Sequence, residues 1–196
     1  MITSPRELPD NQLEDIVLSG VRGLHSHPSN GCAEPVPRYI ASLKSRRESL
    51  GQLLDCANEL LRRLALQATI GKSVMDSPGA VADYLRLHFR GNQAETFVAM
   101  FLDSRHRLIA AEELFRGTLG QTSVYPREVV KRALAYNAAA LIVSHNHPSG
   151  SPEPSRADEF LTATLKSALA LVDIRLMDHF VVAGDATVSF AQRGLL

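Results

Sequence analysis

The residue types capable of chemistry are concentrated in one stretch, Ser144-His145-Asn146-His147-Pro148-Ser149-Gly150-Ser151-Pro152-Glu153-Pro154-Ser155-Arg156-Ala157-Asp158. In an extended backbone, side chains at i and i+2 point to the same face, so His145 and His147 offer their imidazoles to one point in space. Pro148, Gly150, Pro152 and Pro154 forbid regular structure and make a stiff turn. Ser155 then falls at a helix N-cap, with Asp158 in the first turn. Two neutral imidazoles and one carboxylate make a suitable zinc set. Three protein ligands leave the fourth tetrahedral position for water, the arrangement of a catalytic site. Zinc lowers the pKa of that water toward about 7. A plainer reading competes: Ser155 and Asp158 also fit an ordinary capping box, and Asp158 suits the positive end of a helix without any metal.

The elements that must position these residues follow from periodicity. Ala138 to Val143 is a continuous apolar run of strand length, hence a buried strand leading into His145. Ser155 to Leu171 is the helix that carries Asp158. Around them, Thr96–Leu102 and Leu108–Phe115 read as strands joined by a turn at Asp103-Ser104-Arg105-His106. Pro126–Tyr136 is helical, Ile174–Ala183 is a strand and Thr187–Phe190 a short last strand. Ser77-Pro78 opens a helix to about Phe89, because proline at the first helical turn lacks only an N–H that has no partner there. Helices alternating with strands over residues 73–196 imply a mixed β-sheet flanked by helices, an α/β domain.

Upstream the chain changes character. Five of the ten prolines fall in the first 37 residues, so residues 1–36 read as a poorly ordered arm with one short helix near Leu13–Val21. Residues 37–72 read as a helical extension: Leu43, Leu50, Leu54, Ala57, Leu61 and Leu64 form an apolar stripe to about Ala68, expected to pack on the body of the protein. The arm holds an imitation of the histidine motif, His25-Ser26-His27-Pro28-Ser29, with Arg38 where the carboxylate would fall and no apolar strand before it. It reads as loop. His88 and His106 read as surface residues, Arg127 as a salt-bridge partner of Glu128, Asp178-His179 as support for the site, and Cys56 as a small core hydrophobe.

The spacing H-x-H-x7-S-x-x-D after a buried strand resembles the JAMM motif of JAB/MPN metalloprotease-type domains. His-Asn-His-Pro-Ser-Gly at 145–150 and Pro-Ser-Arg-Ala-Asp at 154–158 resemble the RadC branch. The likeness continues through Phe115-Arg116-Gly117-Thr118, Pro126-Arg127-Glu128 and Asp178-His179-Phe180, and covers roughly residues 73–196. The resemblance implies a JAB/MPN, cytidine-deaminase-like fold, with His145, His147 and Asp158 holding one zinc per chain. It also implies that Glu95, at the start of the first strand of the domain, takes a proton from the metal-bound water and later delivers it. By analogy Ser155 steadies the oxyanion of a tetrahedral intermediate. The implied activity is hydrolysis of a peptide or isopeptide bond, with a peptide or protein as substrate.

Composition narrows the alternatives. Twenty-one basic and 21 acidic side chains cancel, which argues against a polybasic nucleic-acid binder because phosphate-driven affinity needs clustered Lys and Arg. The RadC branch usually carries a helix-hairpin-helix region before the catalytic domain. Here Ala57-Asn58-Glu59-Leu60-Leu61-Arg62-Arg63 resembles its following helix, but no Gly-x-Gly hairpin precedes it and Gly51 stands alone. Two other functions compete: a nucleic-acid-associated repair or mobile-element accessory protein with an idle metal site, and a non-catalytic interaction module. Two cysteines exclude a disulfide-dense scaffold and a thiolate zinc site, and fit a cytoplasmic setting. No run approaches the roughly 18 apolar residues of a membrane span. Residues 38–68 are free to pack in cis or to pair with a second copy as a homo-oligomer.

Overall fold

The computed structural model describes residues 4–24, 36–74, 78–117 and 123–196. His25, His27, Cys32, Ser77 and Thr118 lie outside the described residues. The chain divides into two compact units, Met1–Leu64 and Ala65–Leu196. No described helix is long and apolar enough to cross a membrane.

In the first unit a short 3-10 turn at Pro5–Glu7 leads into α1 (Asp10–Leu24), longer at both ends than the helix expected over Leu13–Val21. A 34-residue helix, α2 (Val36–Thr69), begins in this unit and ends in the next. The face of α2 that packs differs from the expected stripe. Cys56 and Glu59 are buried and Leu53 lies against Gly20 of α1, whereas Leu50, Leu54, Leu61 and Leu64 are 43–59% exposed. The reason is charge pairing. Both Arg62 and Arg63 hydrogen-bond the Glu59 carboxylate, and Arg63 also reaches Asp10 and the Arg6 carbonyl of the N-terminal segment, so the helix turns its polar anchor inward.

The second unit is built on five strands: β1 (Thr96–Leu102), β2 (Leu108–Arg116), β3 (Ala140–Asn146), β4 (Arg175–Ala183) and β5 (Ala186–Ser189), in the order β2-β1-β3-β4-β5. All neighbours are antiparallel except β3 and β4. Alternation along each strand divides the core into two layers. Val98, Met100, Ile142 and Val182 face α3 (Pro78–Phe89) through Val81, Tyr84 and Leu85. Phe97, Ala99, Leu141 and Val143 face α4 (Pro126–Ala135) and α5 (Arg156–Ala170) through Val129, Ala133, Leu165 and Leu169. Burial of each such large side chain contributes about 1.5–3 kcal/mol.

The expected α/β architecture, a mixed sheet flanked by helices and preceded by a helical region, is therefore present. Three local expectations need correction. β3 starts at Ala140, because Asn137 (φ 49°) turns the chain after α4, and it runs on to Asn146 because pairing with Val181 and Val182 of β4 continues. The last strand stops at Ser189, whose hydroxyl accepts the Gln192 N–H and starts the short helix α6 (Phe190–Arg193). His88 is buried, only 5% exposed, with Tyr84 Oη 3.3 Å from its Nδ1. It falls on the face of α3 set by Val81, Tyr84 and Leu85, where the four- and seven-residue spacing alone places it inside. By contrast, the turn joining β1 and β2 is where it was expected: the Asp103 carboxylate accepts the N–H groups of Arg105 and Arg107 there.

Candidate metal centre

β3 is buried along its whole length, and the continuation of its ladder sets the site: His147 N–H donates to the Val182 carbonyl at 2.8 Å. His145 and His147 thus stay in extended register and share a face. Beyond them the chain turns sharply. Gly150 N–H donates to the His147 carbonyl, and Gly150 takes φ +86°, a left-handed conformation that disfavours side chains. The turn brings the Ser151 carbonyl to 2.9 Å from His147 Nδ1. The chain then reaches Ser155, the N-cap of α5. Ser155 Oγ accepts the Asp158 N–H, while Ser155 N–H and Oγ–H both donate to Asp158 Oδ2 at 2.7 Å, completing a capping box.

These elements bring His145, His147 and Asp158 together. Their Nε2 atoms are 2.9 Å apart; Asp158 Oδ1 lies 3.2 Å from His145 Nε2 and Oδ2 lies 3.5 Å from His147 Nε2. Among the described residues this is the group able to offer one ligand atom each to a common ion, all within 4.8 Å of one another. His145 is 2% exposed and Asp158 8%. The donor set suits a cation. The Ser151 carbonyl can only accept, so His147 Nδ1 carries the proton of the neutral ring and its Nε2 is left with a lone pair aimed at His145 and Asp158. Two imidazole nitrogens and a carboxylate oxygen are the donors that zinc prefers.

The electrostatics agree. Burial alone would raise the Asp158 pKa, but the adjoining His145 and His147 rings, with the hydrogen bonds from Ser155, hold it far below the usual carboxylate range. The Asp158 carboxylate, ready to accept a second ring proton from Nε2, raises the pKa of His147 against its burial, followed by the Ser151 carbonyl and the negative charge of Glu95. A proton is drawn to the point where these groups converge, as a metal cation would be.

Glu95 is half-buried, one residue before β1. The β1–β3 register ends with Phe97 opposite His145, two residues after Glu95, and the Glu95 carboxylate is near enough for its charge to act on His147. Its backbone is pinned by Gly117 N–H, which donates to the Glu95 carbonyl at 2.8 Å. Ser155 sits at the site with its hydroxyl proton on Asp158.

Asp178 and His179 part company. The Asp178 carboxylate accepts the N–H groups of His179 and Ala191 and the Ser189 hydroxyl, tying β4 to α6. His179 turns inward, its Nε2 2.8 Å from His145 Nδ1 and its Nδ1 2.7 Å from Thr162 Oγ1. Burial, and then the neighbouring His145, push its pKa well below the usual histidine value. Thr162 and Asn146 belong to the site's support without having been singled out in the sequence. Asn146 carried a signal: an amide between two histidines must point into the opposite core layer, where it needs partners. His106 sits in the β1–β2 turn, where its Nε2 accepts from Arg175, and Arg127 pairs with Glu128 at 3.6 Å in solvent.

The model of a family described as the RadC-like JAB domain matches residues 75–195. The chain is similar to a UPF0758 protein of Leptothrix cholodnii, 56% identical over 166 residues, 85% of this chain and 75% of that one. A UPF0758 protein of Methylibium petroleiphilum is 52% identical over 185 residues, 94% of this chain and 81% of its own. Another, from Nitrosomonas eutropha, is 59% identical over 143 residues, 73% of this chain and 64% of its own.

Proposed function

Given that the chain belongs to the RadC-like JAB domain family, we propose that it is a zinc-dependent hydrolase of an amide bond, peptide or isopeptide, acting on a peptide or protein. The observation that carries this reading is the convergence of His145 Nε2, His147 Nε2 and the Asp158 carboxylate on one point at the rim of the sheet. Zinc held by three such ligands keeps a position for water and makes hydroxide available near neutral pH.

The chain's own residues do the rest. Asp158, held ionised by its hydrogen bonds, supplies the negative charge that offsets the cation. Glu95, near enough for its charge to act on His147, accepts a proton at its carboxylate from the attacking water and returns it to the leaving amine. Ser155 is the hydroxyl donor on hand for a developing oxyanion, and its backbone N–H keeps its grip on Asp158 when the hydroxyl turns away. A cytoplasmic setting suits this reading, since Cys56 is a buried free thiol in a chain of only two cysteines.

Purified protein should carry close to one zinc per chain, and His147→Ala should lose it. Glu95→Gln should keep the zinc and cut cleavage of a peptide library by about 10²–10⁴-fold, the usual worth of a general base. Wild-type protein that stays metal-free after zinc reconstitution would sink the reading.

A further inference from the structure

His145 can serve as a ligand through Nε2 only if its ring proton sits on Nδ1. An imidazole in water is free to carry it on either nitrogen. What selects the nitrogen here is a chain of hydrogen bonds whose direction can be worked out from its far end. The backbone carbonyl of Asp158 can only accept, and Thr162 Oγ1 stands 2.6 Å from it, so the Thr162 hydroxyl proton is committed to that carbonyl. A hydroxyl has one proton. His179 Nδ1, 2.7 Å from Thr162 Oγ1, must therefore be the donor in that contact. His179 Nε2 is then left with a lone pair, and His145 Nδ1, 2.8 Å away, must donate to it. His145 Nε2 is thereby bare and faces His147 and Asp158.

Every member is shut away from water: Thr162 is 1% exposed, His179 0% and His145 2%. The ring planes are fixed as well. His179 stacks on Phe190 at 4.7 Å between centroids and meets Phe97 edge-on at 6.1 Å. The chain also closes on itself, because it starts at the backbone of Asp158, whose carboxylate faces His145 from the other side. His147 is oriented in the simpler way, by one backbone carbonyl.

We propose that Thr162 and His179 are positioning residues that fix the tautomer and plane of His145, and through them the affinity of the site for zinc. This rests on the metal-site reading above. The test uses the full chain as wild type, Thr162→Ser and Thr162→Val. Zinc affinity is read by competition with a chromophoric chelator, and histidine tautomers by long-range ¹H–¹⁵N spectra of the metal-free protein. In the wild type, both His145 and His179 should carry the proton on Nδ1. Thr162→Ser keeps the hydroxyl and should bind zinc within about twofold of wild type. Thr162→Val keeps the volume but frees His179 Nδ1, and should weaken zinc binding about 10–100-fold with mixed tautomers at His145. Thr162→Val that binds zinc like wild type with unchanged tautomers overturns the proposal. So does a wild-type spectrum with the His145 proton on Nε2, a result that needs no variant to fold. If the wild type binds no zinc, the metal reading fails, and the spectra still decide whether the relay sets the tautomer.

Discussion

Asn146 Oδ1 accepts both the backbone N–H and the hydroxyl proton of Thr96, each at 2.8 Å, while Asn146 Nδ2 donates to the Ala94 carbonyl at 3.1 Å. One buried amide thus clamps the start of β1 to the end of β3 from the layer opposite the histidines, and Glu95 lies between its two anchor points. Asn146→Ala would leave two buried Thr96 donors unpaired, at about 3 kcal/mol in all. Urea unfolding should show that loss. Zinc content should persist, since His145 and His147 belong to the other face, but cleavage should fall because Glu95 is no longer held near His147. Loss of zinc together with activity would contradict this division.

Gly150 is a second point at which backbone governs the site. A Cβ there meets nothing within 4 Å, so only the positive φ resists a side chain. Gly150→Ala should cost about 1 kcal/mol in unfolding free energy. If the turn relaxes to escape the strain, the Ser151 carbonyl leaves His147 Nδ1 and zinc affinity drops as well. Chelator competition on the variant separates a strained turn from a displaced one.

Metal removal should register in stability. A ligand that binds the folded state alone at 100 times its Kd stabilises it by about 2.7 kcal/mol, or roughly 5–10 °C in Tm for a chain of this size. A chelator should lower the Tm of the wild type by that amount and leave Asp158→Ala unmoved. Equal shifts in both would mean that the metal sits elsewhere.

The first unit carries its own acid sensitivity. Burial would raise the Glu59 pKa, but the hydrogen bonds and charges of Arg62 and Arg63 bring it below the ordinary value. A depressed folded pKa means that the stabilisation is complete above the unfolded value of about 4.3 and is lost as pH falls through the folded value. Glu59→Gln should cost about 2 kcal/mol at pH 7, and its stability should fall less steeply than that of the wild type between pH 5 and acid unfolding, as followed by circular dichroism.

Strands, helices and the His145–His147–Asp158 cluster were legible because each rests on a local rule: alternation in β1, a cap at Ser155, an i, i+2 pair at 145 and 147. What escaped was set by pairing at a distance. Nothing near position 179 announces its partner; the parallel register, with Val143 opposite His179, brings it beside His145. Thr162 looked like one more helical residue, because its role depends on an imidazole from another strand. The leucines of α2 misled for a related reason. A stripe of Leu50, Leu54, Leu61 and Leu64 satisfies the helical period, but the twin arginine bonds of Glu59 outrank it in choosing the packed face. His88 was legible, on spacing that should have outweighed its polarity.

β1 starts one residue after Glu95 and ends at the Asp103–His106 turn. Seven residues at about 3.4 Å each place roughly 24 Å between the two ends. Ser104 and Arg105 are exposed at the tip of that turn. A reporter dye or a grafted loop between them would ride on the strand that follows Glu95 while remaining beyond the reach of the His145–His147–Asp158 cluster. The β1–β2 turn is thus a natural port for engineering: it gives access to the rigid frame of the site without a hand on its chemistry.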